Sequence, residues 1–76
     1  MKKHYQLPIL IEKDEDGFYV VECPVFSSCY TQGKTIDEAL ENIREVIGLC
    51  LEEKENKEAL KNFHPQELIF STLSYA

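Results

Sequence analysis

Residues Ser27 to Ile43 read SSCYTQGKTIDEALENI, a polar turn that leads through a short extended piece into the start of a helix. Thr35 stands as N-cap and Glu38 follows three residues later, the spacing of a capping box, in which side chains satisfy the free amides of a first helical turn. Asp37 and Glu38 also place negative charge at the positive end of the helix dipole. Upstream, Cys29 to Gln32 reads as a brief strand, and Gly33 and Lys34 turn it into the helix. A strand fed so directly into a helix implies a helix that folds back across a sheet.

Working toward the C-terminus, the helical spacing persists. At about 100° per residue, Ile36, Ala39, Leu40, Ile43, Val46, Ile47, Cys50 and Leu51 share an arc of about 140°. Asp37, Glu38, Glu41, Glu45 and Glu52 form an acidic stripe on the opposite side, with Arg44 at its margin and Leu49 beside it. Gly48 lies on the outer face and weakens the helix by about 1 kcal/mol relative to alanine. Residues 52–63, EEKENKEALKNF, either continue the helix or form a second one, with Asn56 as the expected break. Pro65 marks a boundary, and ELIFSTLSY (Glu67 to Tyr75) reads as a last strand from its β-branched and aromatic content.

Toward the N-terminus, the segment from His4 to Lys13 alternates, with Tyr5, Leu7, Ile9 and Ile11 on one face. Pro8 cannot donate to a ladder, which assigns this strand to a sheet edge or a bulge. DEDG (Asp14 to Gly17) is a turn with Gly17 free to take positive φ, and FYVVEC (Phe18 to Cys23) is the returning strand, ended by Pro24. The fold class is α+β: an antiparallel sheet of three to four strands with one main helix on one face, in the order β-β-β-α-(α)-β. Residues 1–76 make a single domain, since the length allows only one core, and so small a core favours self-association.

Charge narrows the function. The net charge is −6; residues 35–76 hold nine acidic and four basic residues, against five and four in residues 1–34. An acidic surface repels phosphate backbones, so a basic protein is a better partner than nucleic acid. Cys23, Cys29 and Cys50 carry no CxxC spacing and read as small buried hydrophobes with free thiols in a reducing cytoplasm. The N-terminal apolar run is too short for a signal peptide or a membrane span, which also points to the cytoplasm.

Catalytic and metal chemistry find little footing. DEDG lacks the spaced ligands of a calcium loop. Glu22 is the one acidic residue inside a strand, and a rim-exposed glutamate is its ordinary reading. His4 and His64 lack the spacing of a nucleophile–base pair, and Ser27 and Ser28 lack a nucleophile elbow. No cofactor, metal or enzymatic activity is expected. The acidic stripe is either solvated charge or a docking face in which Asp37, Glu41 and Glu45 meet basic groups while Leu49 supplies apolar contact.

Taken in order, the EDG hairpin closed by an aromatic, the proline after the second strand, CYTQGKT and DEALENIRE resemble the HicB family of antitoxins over residues 5 to about 53. The resemblance implies a partial ribonuclease-H-like module that self-associates as a homodimer or higher oligomer. It also implies binding to a small basic, HicA-like toxin that cleaves messenger RNA, within a type II toxin–antitoxin system. It assigns structural roles to Gly17, Pro24, Cys29, Gly33, Thr35, Glu38, Ala39 and Asn42. Ser28 stands where the family commonly has glycine, so this loop is expected to differ. Residues 54–76 are too few for the family's DNA-binding domain, so no operator binding is expected from this chain. Other readings are a self-assembling scaffold without a toxin partner, or a small hydrolase using Glu22 or a histidine.

Overall fold

The computed structural model describes residues 6–63, 69 and 71–75. Three antiparallel strands, β1 (Leu10–Lys13), β2 (Tyr19–Glu22) and β3 (Tyr30–Gly33), precede two helices, α1 (Ile36–Cys50) and α2 (Lys54–Lys61). The sheet order is β1-β2-β3, and α1 packs over β3 and β2. This is the α+β arrangement read from the sequence.

The β1–β2 hairpin is built by Asp14. Its Oδ1 accepts from the amides of Asp16 (3.0 Å) and Phe18 (2.9 Å), and its carbonyl accepts from Gly17 N–H (3.1 Å). Gly17 takes φ +90°, the left-handed position that closes such a three-residue loop. The register pairs Leu10 with Glu22 and Ile11 with Val21; carried two residues outward, it sets Pro8 opposite Pro24. Neither proline has an amide proton, so the ladder cannot extend there. That is why β1 begins at Leu10, later than the segment from His4 suggested; among the described strands it lies at one edge of the sheet.

The two faces of the sheet differ. Val21 is fully buried under α1 and pairs with Ile11 and Thr31, whereas Val20, Glu22, Leu10 and Tyr30 belong to the face without helices. The buried apolar core is small: Val21, Cys23, Phe26, Cys29, Ala39 and Ile43. Phe26 reaches it from the β2–β3 loop, in a turn where its N–H donates to the carbonyl of Cys23 (3.3 Å).

Three expectations need correction. Only part of the apolar arc of α1 is covered: Ala39 and Ile43 are buried, but Ile36 and Leu40 are exposed, because α1 sits toward β3 and a three-stranded sheet is narrower than the arc. Asn56 is not a break. The chain leaves α1 at Leu51 and re-enters helix at Lys54, and Asn56 lies buried inside α2. Finally, Ile69 and residues 71–75 carry no strand, and Ile69, Leu73 and Tyr75 are 76%, 89% and 94% exposed. The rest of the expected last strand, like His4, Tyr5 and His64, lies outside the described residues.

Candidate partner-binding surface

The surface is built on α1, so what holds α1 in place comes first. Thr35 Oγ1 accepts from Glu38 N–H (3.0 Å), and Glu38 Oε1 reaches back to accept from Lys34 N–H (3.2 Å). The return bond goes one residue upstream of the N-cap, so the box also pins the turn out of β3. Gly33 lets β3 and α1 touch: a Cβ there would stand 2.5 Å from the backbone nitrogen of Ala39. Ala39 is itself fully buried at that crossing. Further along, Asn42 donates from Nδ2 to the carbonyl of Gln32 (2.9 Å), which satisfies an outward-facing group of β3. Gly33, Thr35, Glu38, Ala39 and Asn42 thus form one junction that sets the height and angle of α1. Pro24 lies just beyond β2, and the buried Cys29 stands immediately before β3.

From that junction the outer face of α1 runs free. Asp37, Glu41, Glu45 and Leu49 recur every four residues along about 18 Å of helix, and all four are exposed, Leu49 at 66%. None of the side-chain hydrogen bonds among the described residues draws on Asp37, Glu41 or Glu45. Ser28, Val46, Leu49, Glu53, Glu55 and Asn56 line a notch of about 420 Å³ where the stripe ends. Val46 and Leu49 give it an apolar wall, and Glu53 and Glu55 give it an acidic rim. Such a notch suits a lysine or arginine whose stem lies on carbon while its head meets carboxylate.

Asn56 holds the notch together. Its Oδ1 accepts from Ser27 N–H (3.1 Å) and its Nδ2 donates to the carbonyl of Cys50 (3.0 Å), tying the β2–β3 loop, the end of α1 and α2 to one side chain. Beside this tie, Ser28 takes φ +55° without being glycine. Sequence reading missed Asn56 and the Glu53–Glu55 rim. The signal was present, since residues 56, 59, 60 and 63 share one helical face, and a polar residue among apolar ones marks a buried contact.

The other candidates do not converge on chemistry. Glu22 is exposed on the open sheet face opposite Tyr30 and Leu10. Cys23 and Cys29 are buried and Cys50 partly so, all as free thiols. Burial first, and then the neighbouring Cys50 sulfur, pushes the Cys29 thiol up to about 12; burial also raises Cys23. Protonated thiols of this kind are poor nucleophiles. Among the described residues no group of three or more His, Cys, Asp or Glu side chains is placed to hold a metal ion. Nor is any helix there long and apolar enough to cross a membrane.

A family model described as the HicB-like antitoxin of bacterial toxin–antitoxin systems matches residues 7–76. The chain belongs to the HicB-like antitoxin family. Similar proteins include a UPF0150 protein of Synechocystis, 64% identical over 47 residues, which are 62% of this chain and 68% of that one. A UPF0150 protein of Archaeoglobus fulgidus is 54% identical over 50 residues, 66% of this chain and 72% of its own. One from Thermoplasma acidophilum is 44% identical over 61 residues, 79% and 88% of the two chains. No solved structure matches significantly. Membership in the family implies a toxin as partner.

Proposed function

We propose that this chain is a non-catalytic antitoxin of the cytoplasm that sequesters a small basic, HicA-like ribonuclease and covers the surface with which that toxin cleaves messenger RNA. The observation that carries the reading is the single-signed stripe Asp37–Glu41–Glu45, ending at exposed Leu49 and the acid-rimmed notch, on a chain of an antitoxin family. Charges of one sign steer a basic partner during approach, and the apolar residue at their end supplies contact that survives added salt. Inhibition in this reading is steric and electrostatic, and it uses no cofactor, metal or nucleic-acid contact by this chain.

The test is co-purification with tagged wild-type chain and with a Glu41→Lys, Glu45→Lys variant, at low and high salt. The wild type is expected to retain a small basic protein, more weakly as salt rises. The variant, reversed at two exposed sites that leave the core intact, is expected to bind about tenfold or more weakly, and chiefly through a slower association rate. Equal retention of the same partner by both chains at both salts removes the stripe from the interface.

A further inference from the structure

The three cysteines of the chain meet where the end of α1 lies against the sheet. Carried one step beyond Glu22 and Tyr30, the β2–β3 register sets Cys23 opposite Cys29, and Cys23 N–H donates to Cys29 C=O (2.9 Å). Alternation turns both side chains to the face of Val21, under α1. Cys50 is the last residue of α1 and stands seven positions after buried Ile43, on the same helical face, packed against the core that holds Cys23 and Cys29. A single carboxamide fixes that approach. Asn56 accepts from Ser27 N–H (3.1 Å) and donates to Cys50 C=O (3.0 Å), so the main chain two residues before Cys29 is held beside the end of the helix. In this arrangement the Cys29 and Cys50 thiols engage one another side chain to side chain.

The three thiols differ in access and in the pairings open to them. Cys23 and Cys29 are buried, whereas Cys50 is only partly so and lines the notch beside Ser28 and Leu49. A small solute that enters the notch therefore meets the Cys50 sulfur first. Cys23 and Cys29 make a poor bridge despite facing each other. Directly opposed side chains at a hydrogen-bonded ladder site hold their Cβ atoms about 5.5 Å apart, beyond the ~3.5–4.5 Å of a disulfide. The paired strands also resist the shift that would close the gap. Cys50 ends its helix and is followed by a turn, where the chain gives more readily.

We propose that Cys50 and Cys29 form an oxidation site: a hydroperoxide entering the notch oxidises Cys50, and Cys29 then closes an intramolecular disulfide that fastens the end of α1 to the entry of β3. In the first step the deprotonated Cys50 sulfur attacks the peroxide. The S–O bond forms, the O–O bond breaks, and the leaving oxygen departs as water or, from an alkyl hydroperoxide, as the alcohol. In the second step the Cys29 sulfur attacks the Cys50 sulfur. The S–S bond forms, the S–O bond breaks, and the Cys29 proton leaves with the hydroxide as water. The two sulfurs together lose two electrons and the peroxide gains them. Because Cys29 keeps its proton until that attack, the second step is the slower one. The site rests on the thiols alone and stands independently of the toxin reading.

The test treats the reduced full chain with hydrogen peroxide at neutral pH, in dilute solution, both native and in urea. Intact mass follows the loss of two hydrogens and its reversal by dithiothreitol. Bridged peptides are then mapped after chymotrypsin, which cuts after Phe26 and so separates Cys23 from Cys29, and trypsin, which cuts after Arg44 and so frees Cys50. In the native chain the Cys29–Cys50 bridge is expected to exceed every other pairing about tenfold. In urea that preference should vanish, and Cys23–Cys29, the pair closest in sequence, should gain. Cys23→Ala is expected to bridge at the wild-type rate, and Cys50→Ser to lose thiols at least about tenfold more slowly. The mapping on wild type needs no variant, so it decides the matter even if a substitution disturbs the fold. A native chain that forms no internal bridge, one bridged chiefly between Cys23 and Cys29, or the same pairings native as in urea would each overturn the proposal.

Discussion

Replacing Asn56 by alanine tests how the end of α1 is held against the β2–β3 loop. The side chain makes two bonds, from Ser27 N–H at 3.1 Å and to Cys50 C=O at 3.0 Å, and it is 5% exposed. Their losses are unequal. The Cys50 carbonyl keeps a second donor, the Glu53 amide at 3.1 Å, so its loss costs about 0.5–1 kcal/mol. The Ser27 amide has no such replacement within the turn and costs about 1–2 kcal/mol, near the low end for a buried orphan because the loop is partly wet. Alanine returns about 0.5 kcal/mol of helix propensity. The net expectation is a destabilisation of about 1–2.5 kcal/mol, or a Tm lower by about 5–15 °C for a domain of this size. Urea unfolding followed by circular dichroism measures it, with exposed Lys57→Ala on the same helix as control. If Asn56→Ala lies within about 0.5 kcal/mol of wild type, as the control should, the tie is not a structural joint and the notch it shapes has no fixed form.

Gly33→Ala is expected to cost about 2 kcal/mol or more in the same assay, since its Cβ would overlap the backbone of Ala39 and force β3 away from α1. Ser28→Gly is expected to raise stability by about 0.5–1 kcal/mol, because a φ of +55° strains serine by more than glycine loses in chain entropy. High pH should weaken the fold through Cys29: a thiol raised to about 12 keeps its proton in the folded chain while the unfolded chain releases it above about 9. Stability contributed by that thiol is therefore full below pH 9 and falls between pH 9 and 12, by at most about 1.4 kcal/mol per pH unit. Urea midpoints measured across that range are expected to fall more shallowly in Cys29→Ala than in wild type.

What was legible in the sequence is what local physics writes there. The Thr35–Glu38 box, the Gly17 turn and the alternation of FYVVEC each depend on near neighbours, and each names its element without knowledge of the whole. Asn56 was misread for the opposite reason: propensity makes asparagine a helix breaker, but its partners, Ser27 and Cys50, lie 29 and 6 residues away, and they outweigh propensity. Phe26 had no periodic neighbours to mark it as core, since it enters from a loop. Ile36 and Leu40 looked buried because the helical wheel gives the width of an apolar arc and not the width of the sheet beneath it.

The most direct test of the central claim is inhibition. The basic protein that co-purifies with the chain would be freed of it, shown to cleave messenger RNA, and titrated with purified chain while cleavage is followed. Cleavage that stops at a fixed ratio of chain to toxin, and persists at that ratio with Glu41→Lys, Glu45→Lys chain, is the expected result. Cleavage that continues at saturating wild-type chain would contradict the account.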